Sequence, residues 1–265
     1  MAATNKGYNP LQYGDLIRKY VVRAGSNGEE RLYSRFRDSN YYRKAMTGDL
    51  IGCNLRCKFC WADNDIRNRI QKPPAGAVFH SPKSVAFILH NKAKEKQSKY
   101  LRISQGEPTL SKNHVLSILE ELNRSSKPKY PFILETNGII LGNDRDFAKK
   151  LSDFKNLHIR ISLKGVNSKK FSYLTGAREE FYDLQLKAMS NCLNNGISFH
   201  PAIMIDFIDD AHEMADLKTN LEAISPQLID KLEFERLILY PWVRDRLRKL
   251  NIEYEAILNK KSEGE

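Results

Sequence analysis

From about residue 46 onward, short apolar runs of β character alternate with longer stretches of helical periodicity. The β-type runs fall at 47–52, 100–104, 132–136, 158–163, 198–205 and 231–239. Between them lie helical patterns at 82–97, 111–125, 144–152, 179–195 and 211–224. Ser81-Pro82 and Ser111 are helix-opening residues, and Gly196 is a helix stop. The β-type runs read as mostly apolar rather than alternating, which fits a parallel sheet covered by helices. Six βα-type repeats predict an α/β fold, an open or partial (β/α) barrel, with its chemistry at the C-terminal ends of the strands.

The unusual polar motifs do follow the predicted strands. Gly52-Cys53 ends the first, Gln105-Gly106-Glu107-Pro108 the second and Asn137-Gly138 the third. Lys164-Gly165 ends the fourth, Asp206 the fifth and Tyr240-Pro241 the sixth. This divides the chain into an N-terminal extension (1–45), the barrel (46–242) and a charged C-terminal tail (243–265). The extension has a periodic segment near 11–22, a Gly-Ser-Asn-Gly turn at 25–28, and a basic, aromatic stretch with Tyr33, Arg35, Phe36, Arg37, Tyr41, Tyr42 and Arg43.

Apolar residues make up 41% of the 265, enough for a core, so the chain is expected to be folded and soluble. No apolar run approaches the ~18 residues of a membrane span, and residues 1–10 lack a secretory pattern. Four cysteines, three of them within eight residues, suit a metal site in a reducing compartment, and a cytoplasmic location is expected. The net charge is +11, and residues 1–45 hold nine Lys/Arg against four acids. Such a balance favours polyanionic partners; a lysine-rich solvated surface gives the same count.

Cys53, Cys57 and Cys60 are spaced C-x3-C-x2-C. Three thiolates wrap one side of a [4Fe–4S] cubane and leave one iron open to a chelating amino and carboxylate group. Structural zinc is the alternative; it needs a fourth ligand, for which His80 and Cys192 are the candidates. Cys192, within a helical pattern, also reads as a small buried residue.

This motif, with an aromatic before the last cysteine, resembles the radical S-adenosylmethionine superfamily over about residues 46–242. The resemblance implies a partial (β/α)6 barrel, a [4Fe–4S] cluster on Cys53, Cys57 and Cys60, and S-adenosylmethionine on the open iron. It further implies reductive cleavage to methionine and a 5′-deoxyadenosyl radical that abstracts hydrogen from a substrate, with the protein orienting and shielding the chemistry. Gln105, Gly106, Glu107 and Pro108 are similar to the family's Gly-Gly-Glu-Pro loop, with Gln105 in place of the first glycine. Glu135-Thr136-Asn137 and Ser162-Leu163-Lys164 resemble motifs of the glycyl-radical-enzyme activases, with Ser162 in place of an aspartate. Their implied role is cofactor support, Lys164 meeting the S-adenosylmethionine carboxylate. Leu174-Thr175-Gly176 is also activase-like.

An external electron donor of the flavodoxin or ferredoxin kind is expected, with no membrane partner. A protein or peptide substrate follows from the activase-like motifs. An RNA-modifying enzyme follows from the charge, from the basic and aromatic residues at 31–44, and from a Cys60-Trp61 pair that resembles tRNA wybutosine-synthesis enzymes. A non-enzymatic iron–sulfur or zinc binding protein is the third reading. Among single residues, Trp61 is expected to shield the cluster, Trp242 to pack in the core or stack on adenine, and His200 to be a satisfied barrel histidine.

Overall fold

The computed structural model describes residues 7–26, 28–40, 44–63, 73–124 and 130–252. Six parallel strands form its centre: β3 (Ala45–Leu50), β5 (Tyr100–Ser104), β6 (Phe132–Thr136), β7 (Leu157–Leu163), β8 (Ser198–Met204) and β9 (Glu233–Glu235). They pair in chain order, as right-handed βα crossovers require. The connecting helices are α2 (Pro82–Lys96), α3 (Lys112–Leu122), α4 (Ile139–Asn143), α5 (Arg145–Leu151), α6 (Ser168–Thr175), α7 (Tyr182–Asn194), α8 (Ala211–Glu222) and α9 (Gln227–Asp230); α10 (Pro241–Lys249) follows β9. This is the partial α/β barrel that the repeats predict.

The caps explain the helix boundaries. Ser81 and Ser111 each accept a bond from a backbone N–H of the first turn, and Gly196 takes the left-handed conformation just past α7. The sequence pattern misses α6, although Asn167 caps its start and Gly176, with φ of 73°, ends it.

The segment 1–45 reads as an extension, and its described part is built into the same sheet. After α1 (Pro10–Val21), β1 (Val22–Gly25) and β2 (Gly28–Ser39) form an antiparallel hairpin. β2 then pairs antiparallel with β3 and with β4 (Val78–His80). The strand order thus runs from β1 through β2 and β3 to β9. Tyr41, Tyr42 and Arg43, like residues 253–265 of the tail, lie outside the described residues.

β5 and β7 alternate, contrary to the uniform apolar reading. Leu101, Ile103, Ile159, Ile161 and Leu163 face the helices and pack with Val115, Ile118, Ala188 and Met189. Arg102, Ser104, Arg160 and Ser162 point the other way, into the barrel. A barrel that does not close around its own core leaves room for polar groups on its inner face, and the period of two survives.

His114 locks α3 to the hairpin. Its Nδ1 donates to the Glu29 carbonyl at 2.7 Å, and its Nε2 takes the Tyr33 hydroxyl at 3.0 Å. Burial pushes its pKa down to about 4. The unfolded chain binds a proton near pH 6.5, but the folded chain binds it only near 4, so stability is lost as pH falls through that window. For His114 the loss is on the order of 3 kcal/mol. Urea midpoints measured from pH 7 to pH 4 should fall, with a shallower slope in His114→Gln; parallel slopes would show that another group carries the effect.

Candidate active site

Three loops meet at the C-terminal ends of β3, β5 and β6. The chain leaves β3 through Gly52, whose φ of 87° suits glycine. The next loop crosses directly over it. A Cβ on Gly106 would lie 2.5 Å from the Gly52 carbonyl oxygen, so only glycine passes here. Glu107 N–H donates to that same oxygen at 2.9 Å. Gln105 sits at φ 77°, a left-handed conformation that costs a non-glycine residue on the order of 1 kcal/mol or more. The replacement of glycine at this position is therefore carried as local strain, with Ser34 donating to the Gln105 side chain.

The buried Glu107 carboxylate accepts four bonds: from Thr109 N–H and Oγ1, from Thr136 Oγ1 at 2.7 Å and from Asn137 N–H at 2.8 Å. It thus fastens the β5 loop to the β6 loop. Asn137 continues the chain, its Nδ2 donating to Asn54 Oδ1 at 2.7 Å and pointing at Cys53 Sγ from 3.7 Å. Leu55 N–H reaches the same sulfur at 3.4 Å.

These loops bound a cavity of about 290 Å³ at the mouth of the barrel. Cys53, Cys57, Cys60, Gln105, Gly106, Glu107, Glu135, Thr136, Asn137, Ser162 and Lys164 all line it. Pro108 does not; it is buried beneath, opening a helical turn. His80 bonds Ser84, and Cys192 sits in the main core, so neither lines the cavity.

The donor set fits an iron–sulfur cluster. Burial, Glu107 and Cys57 push the Cys53 thiol up, so a bound cation is what would keep it as thiolate. Among the described residues no three His, Cys, Asp or Glu side chains converge as ligands of a single ion. The three cysteines share one cavity, and three thiolates on one side are the donor set of a [4Fe–4S] cubane with one iron left open.

The inner face below is charged and paired. Ser104 donates to Glu135, whose other neighbour is Arg102 at 3.5 Å. Burial acts to raise the Glu135 carboxyl, but Arg102 and Arg160 outweigh it and hold it down. Arg160 grips Glu233 with two bonds of 3.0 Å and reaches Glu235 at 2.8 Å. His200 joins His158 at 2.6 Å to Glu233 at 2.8 Å, as a satisfied barrel histidine should. Trp242 is not core: it is over a third exposed, stacks on Tyr240 and donates to the Trp61 carbonyl at 2.7 Å.

Three positioning residues escape the sequence reading. Arg31, fully buried, donates to the carbonyls of Val21, Ile51, Gly52 and Glu107. Burial lowers its pKa to about 10. Gln185 on α7 donates to the Asn137 and Ser162 carbonyls and accepts from Lys164 N–H. Arg246 on α10 holds the Cys60 and Ala62 carbonyls at 2.5 and 2.9 Å. Gln185 carries a signal, a polar residue on an apolar helix face; the arginines sit in segments whose charge reads as solvated surface.

The family model of the Radical SAM superfamily matches residues 50–218, well over half of the chain. The chain therefore belongs to the radical S-adenosylmethionine superfamily, whose members use a [4Fe–4S] cluster and S-adenosylmethionine. None of the curated proteins matches it. Among solved structures, Streptococcus suis SuiB bound to its precursor peptide SuiA matches with TM-score 0.53 and 20% identity, over 81% of this chain and 46% of that one. Native anSMEcpe with bound AdoMet gives 0.53 and 16%, over 79% and 60%. HydG, a maturase of the [FeFe]-hydrogenase, gives 0.55 and 12%, over 86% and 47%. These identities show a shared fold, and this chain spans roughly half the length of those proteins. No helix among the described residues is long and apolar enough to cross a membrane.

Removing the Arg31 guanidinium takes a buried donor from the carbonyls of Val21, Ile51 and Glu107. Arg31→Met should destabilise the fold by roughly 2–4 kcal/mol in urea unfolding and lower the iron retained after anaerobic reconstitution, with Arg31→Lys partly restoring both. An unchanged midpoint and iron content would show that the clamp positions nothing.

Proposed function

We propose that this chain is a radical enzyme that binds a [4Fe–4S] cluster through Cys53, Cys57 and Cys60, cleaves S-adenosylmethionine reductively and takes a hydrogen atom from a protein or peptide substrate. One observation carries the reading: the three thiols open onto the same cavity as the strand-end groups of β5, β6 and β7. When bound, the cluster supplies an electron to the sulfonium carbon–sulfur bond and an iron site for the amino and carboxylate groups, yielding methionine and a 5′-deoxyadenosyl radical.

The chain's own residues do the rest. Gly106 lets the backbone approach without a side chain in the way, and Glu107 holds that loop to Thr136 and Asn137. Lys164 donates its backbone N–H to Gln185 and lines the cavity, and its ammonium, 5.8 Å from the centre of the Phe59 ring, would meet the cofactor carboxylate. Asn137 and Leu55 aim N–H groups at Cys53 sulfur, which favours the thiolate. Leu55, Phe59, Trp61, Met204 and Leu237 make the apolar part of the wall and limit water at a reactive centre. An external carrier of the flavodoxin or ferredoxin kind delivers the electron.

The activase-like motifs support a protein or peptide substrate, and SuiB, of the same fold, holds a precursor peptide. The RNA reading loses part of its basis. Arg31 and Tyr33, from the basic and aromatic stretch, are buried, and Phe36 packs against the main core.

The test is an anaerobic one. Wild-type protein, reconstituted and reduced, should contain about four irons with matching sulfide and form 5′-deoxyadenosine. Cys57→Ala should lose both together, because two thiolates do not retain the cubane. Tetrahedral zinc in the wild type, with no 5′-deoxyadenosine, would overturn the proposal.

A further inference from the structure

We infer that the mouth of the cavity is an oxyanion site, built to anchor a carboxylate or phosphate group of the substrate. This deepens the proposed reaction by naming the substrate class, and it rests on that reading for the chemistry that follows binding. Part of the exposed cavity wall comes from outside the family-matched segment 50–218. β2 contributes Arg35, Arg37 and Ser39, and the stretch after β9 contributes Arg236, Leu237, Ile238 and Tyr240. These parts therefore belong to this chain's specificity rather than to its shared cofactor machinery.

Around Asp49 the charge is unbalanced toward positive. Arg35 and Arg37 both bind the same carboxylate, Asp49, through Nε at 2.9 and 2.6 Å. Arg37 adds an Nη2 bond to it at 3.2 Å. One fully buried carboxylate serves two guanidiniums, which leaves an excess positive charge. Arg236 binds Asp206, itself buried, through Nη1 at 3.2 Å. Asp49 and Asp206 stand behind the wall, and the three arginines form it. The acids that do line the cavity are engaged: Glu107 by its four donors, Glu135 by Ser104 and Arg102, and Glu235 by Arg160.

The arginines are accessible and oriented. The side chains of Arg35 and Arg236 are more than half exposed, and that of Arg37 about 29%. The backing carboxylates fix the guanidinium planes before any ligand arrives, which lowers the ordering cost of binding. Arg37 also lies 5.8 Å from the centre of the Trp61 ring, whose apolar face displaces water and strengthens charge pairing. Forked N–H donors with excess charge match carboxylate and phosphate geometry.

The experiment titrates cluster-reconstituted protein with inorganic pyrophosphate and with succinate, by calorimetry at low salt. At least one should bind saturably, and the tighter of the two tells phosphate from carboxylate. Arg37→Gln and Arg236→Gln should each weaken binding about tenfold or more. Arg37→Lys, which keeps the charge and loses the fork, should fall between. Arg124→Gln, an exposed cation paired with Glu121 and not part of the cavity wall, should bind as wild type does. The inference is overturned if neither probe binds saturably, or if Arg124→Gln weakens binding as much as Arg37→Gln, which is diffuse attraction. Displacement of the probe by S-adenosylmethionine would also overturn it, by assigning the arginines to the cofactor. 5′-Deoxyadenosine formation, assayed on the same wild-type preparation, separates the two readings. Its absence with probe binding intact removes the radical reading alone; its presence without probe binding removes only the oxyanion site.

Discussion

A single buried guanidinium organises the active end of this barrel. Buried away from water, Arg31 directs its two Nη groups to carbonyls of the cysteine loop and the Gly106-Glu107 loop. The same two loops are stapled again by the Glu107 N–H on the Gly52 oxygen. From Glu107 the fastening passes to Thr136 and Asn137, and from Asn137 through Gln185 to the end of β7. Loops that carry chemistry are ordinarily the mobile part of a fold. Here four strand ends share one hydrogen-bonded network, which adds to the apolar packing of Leu55, Cys57 and Phe59 beneath the cysteine loop.

The inner face of the barrel follows from the same constraint. An open barrel that must admit a cofactor does not fill itself with Val and Leu, and its inward positions become polar. Buried charges then need partners. Arg102 meets Glu135, and Arg160 meets Glu233 and Glu235. Burial alone would raise the Glu233 carboxyl, yet His200 and Arg160 hold it down to about 2. The lumen is thus a ladder of opposite charges across β5, β6, β7 and β9, rigid enough to serve as a floor.

Much of this was legible in the sequence. The five predicted helices and the strands β5, β6, β7 and β8 lie within about three residues of their predicted positions, because caps and β-branched runs agree there with tertiary packing. The alternation Leu157-His-Ile-Arg-Ile-Ser-Leu163 was also present, and its polar members are the floor of the site. Reading those runs as apolar hid the most informative signal. β9 is shorter than its predicted run 231–239, since only Glu233–Glu235 pair and the chain after them turns to line the cavity. β2 was hidden for a different reason. Its register shifts between Tyr33 and Arg35, so no single period runs through it. Before the shift Tyr33 faces the helix-covered core; after it, Arg35 and Arg37 face the cavity.

That irregularity is what lets one strand serve two purposes. On its N-terminal side Arg31 clamps the loop that carries the cysteines; on its C-terminal side Arg35 and Arg37 form the mouth. A regular strand would send alternate residues to fixed faces and could not turn both sets of arginines to their tasks. α10 repeats the arrangement from the other end of the chain. Arg246 holds the Cys60 and Ala62 carbonyls, while Trp242, four residues or about one turn earlier on the same helix, reaches the Trp61 carbonyl. The family-matched core therefore supplies the cysteines and the strand-end groups that line the cavity with them, and the segments flanking it in sequence both brace the cysteine loop and complete the cavity wall. Binding at the mouth and geometry at the cysteines are set by the same short pieces of chain, so a substrate that orders Arg35, Arg37 and Trp61 acts on elements already bonded to the cluster loop.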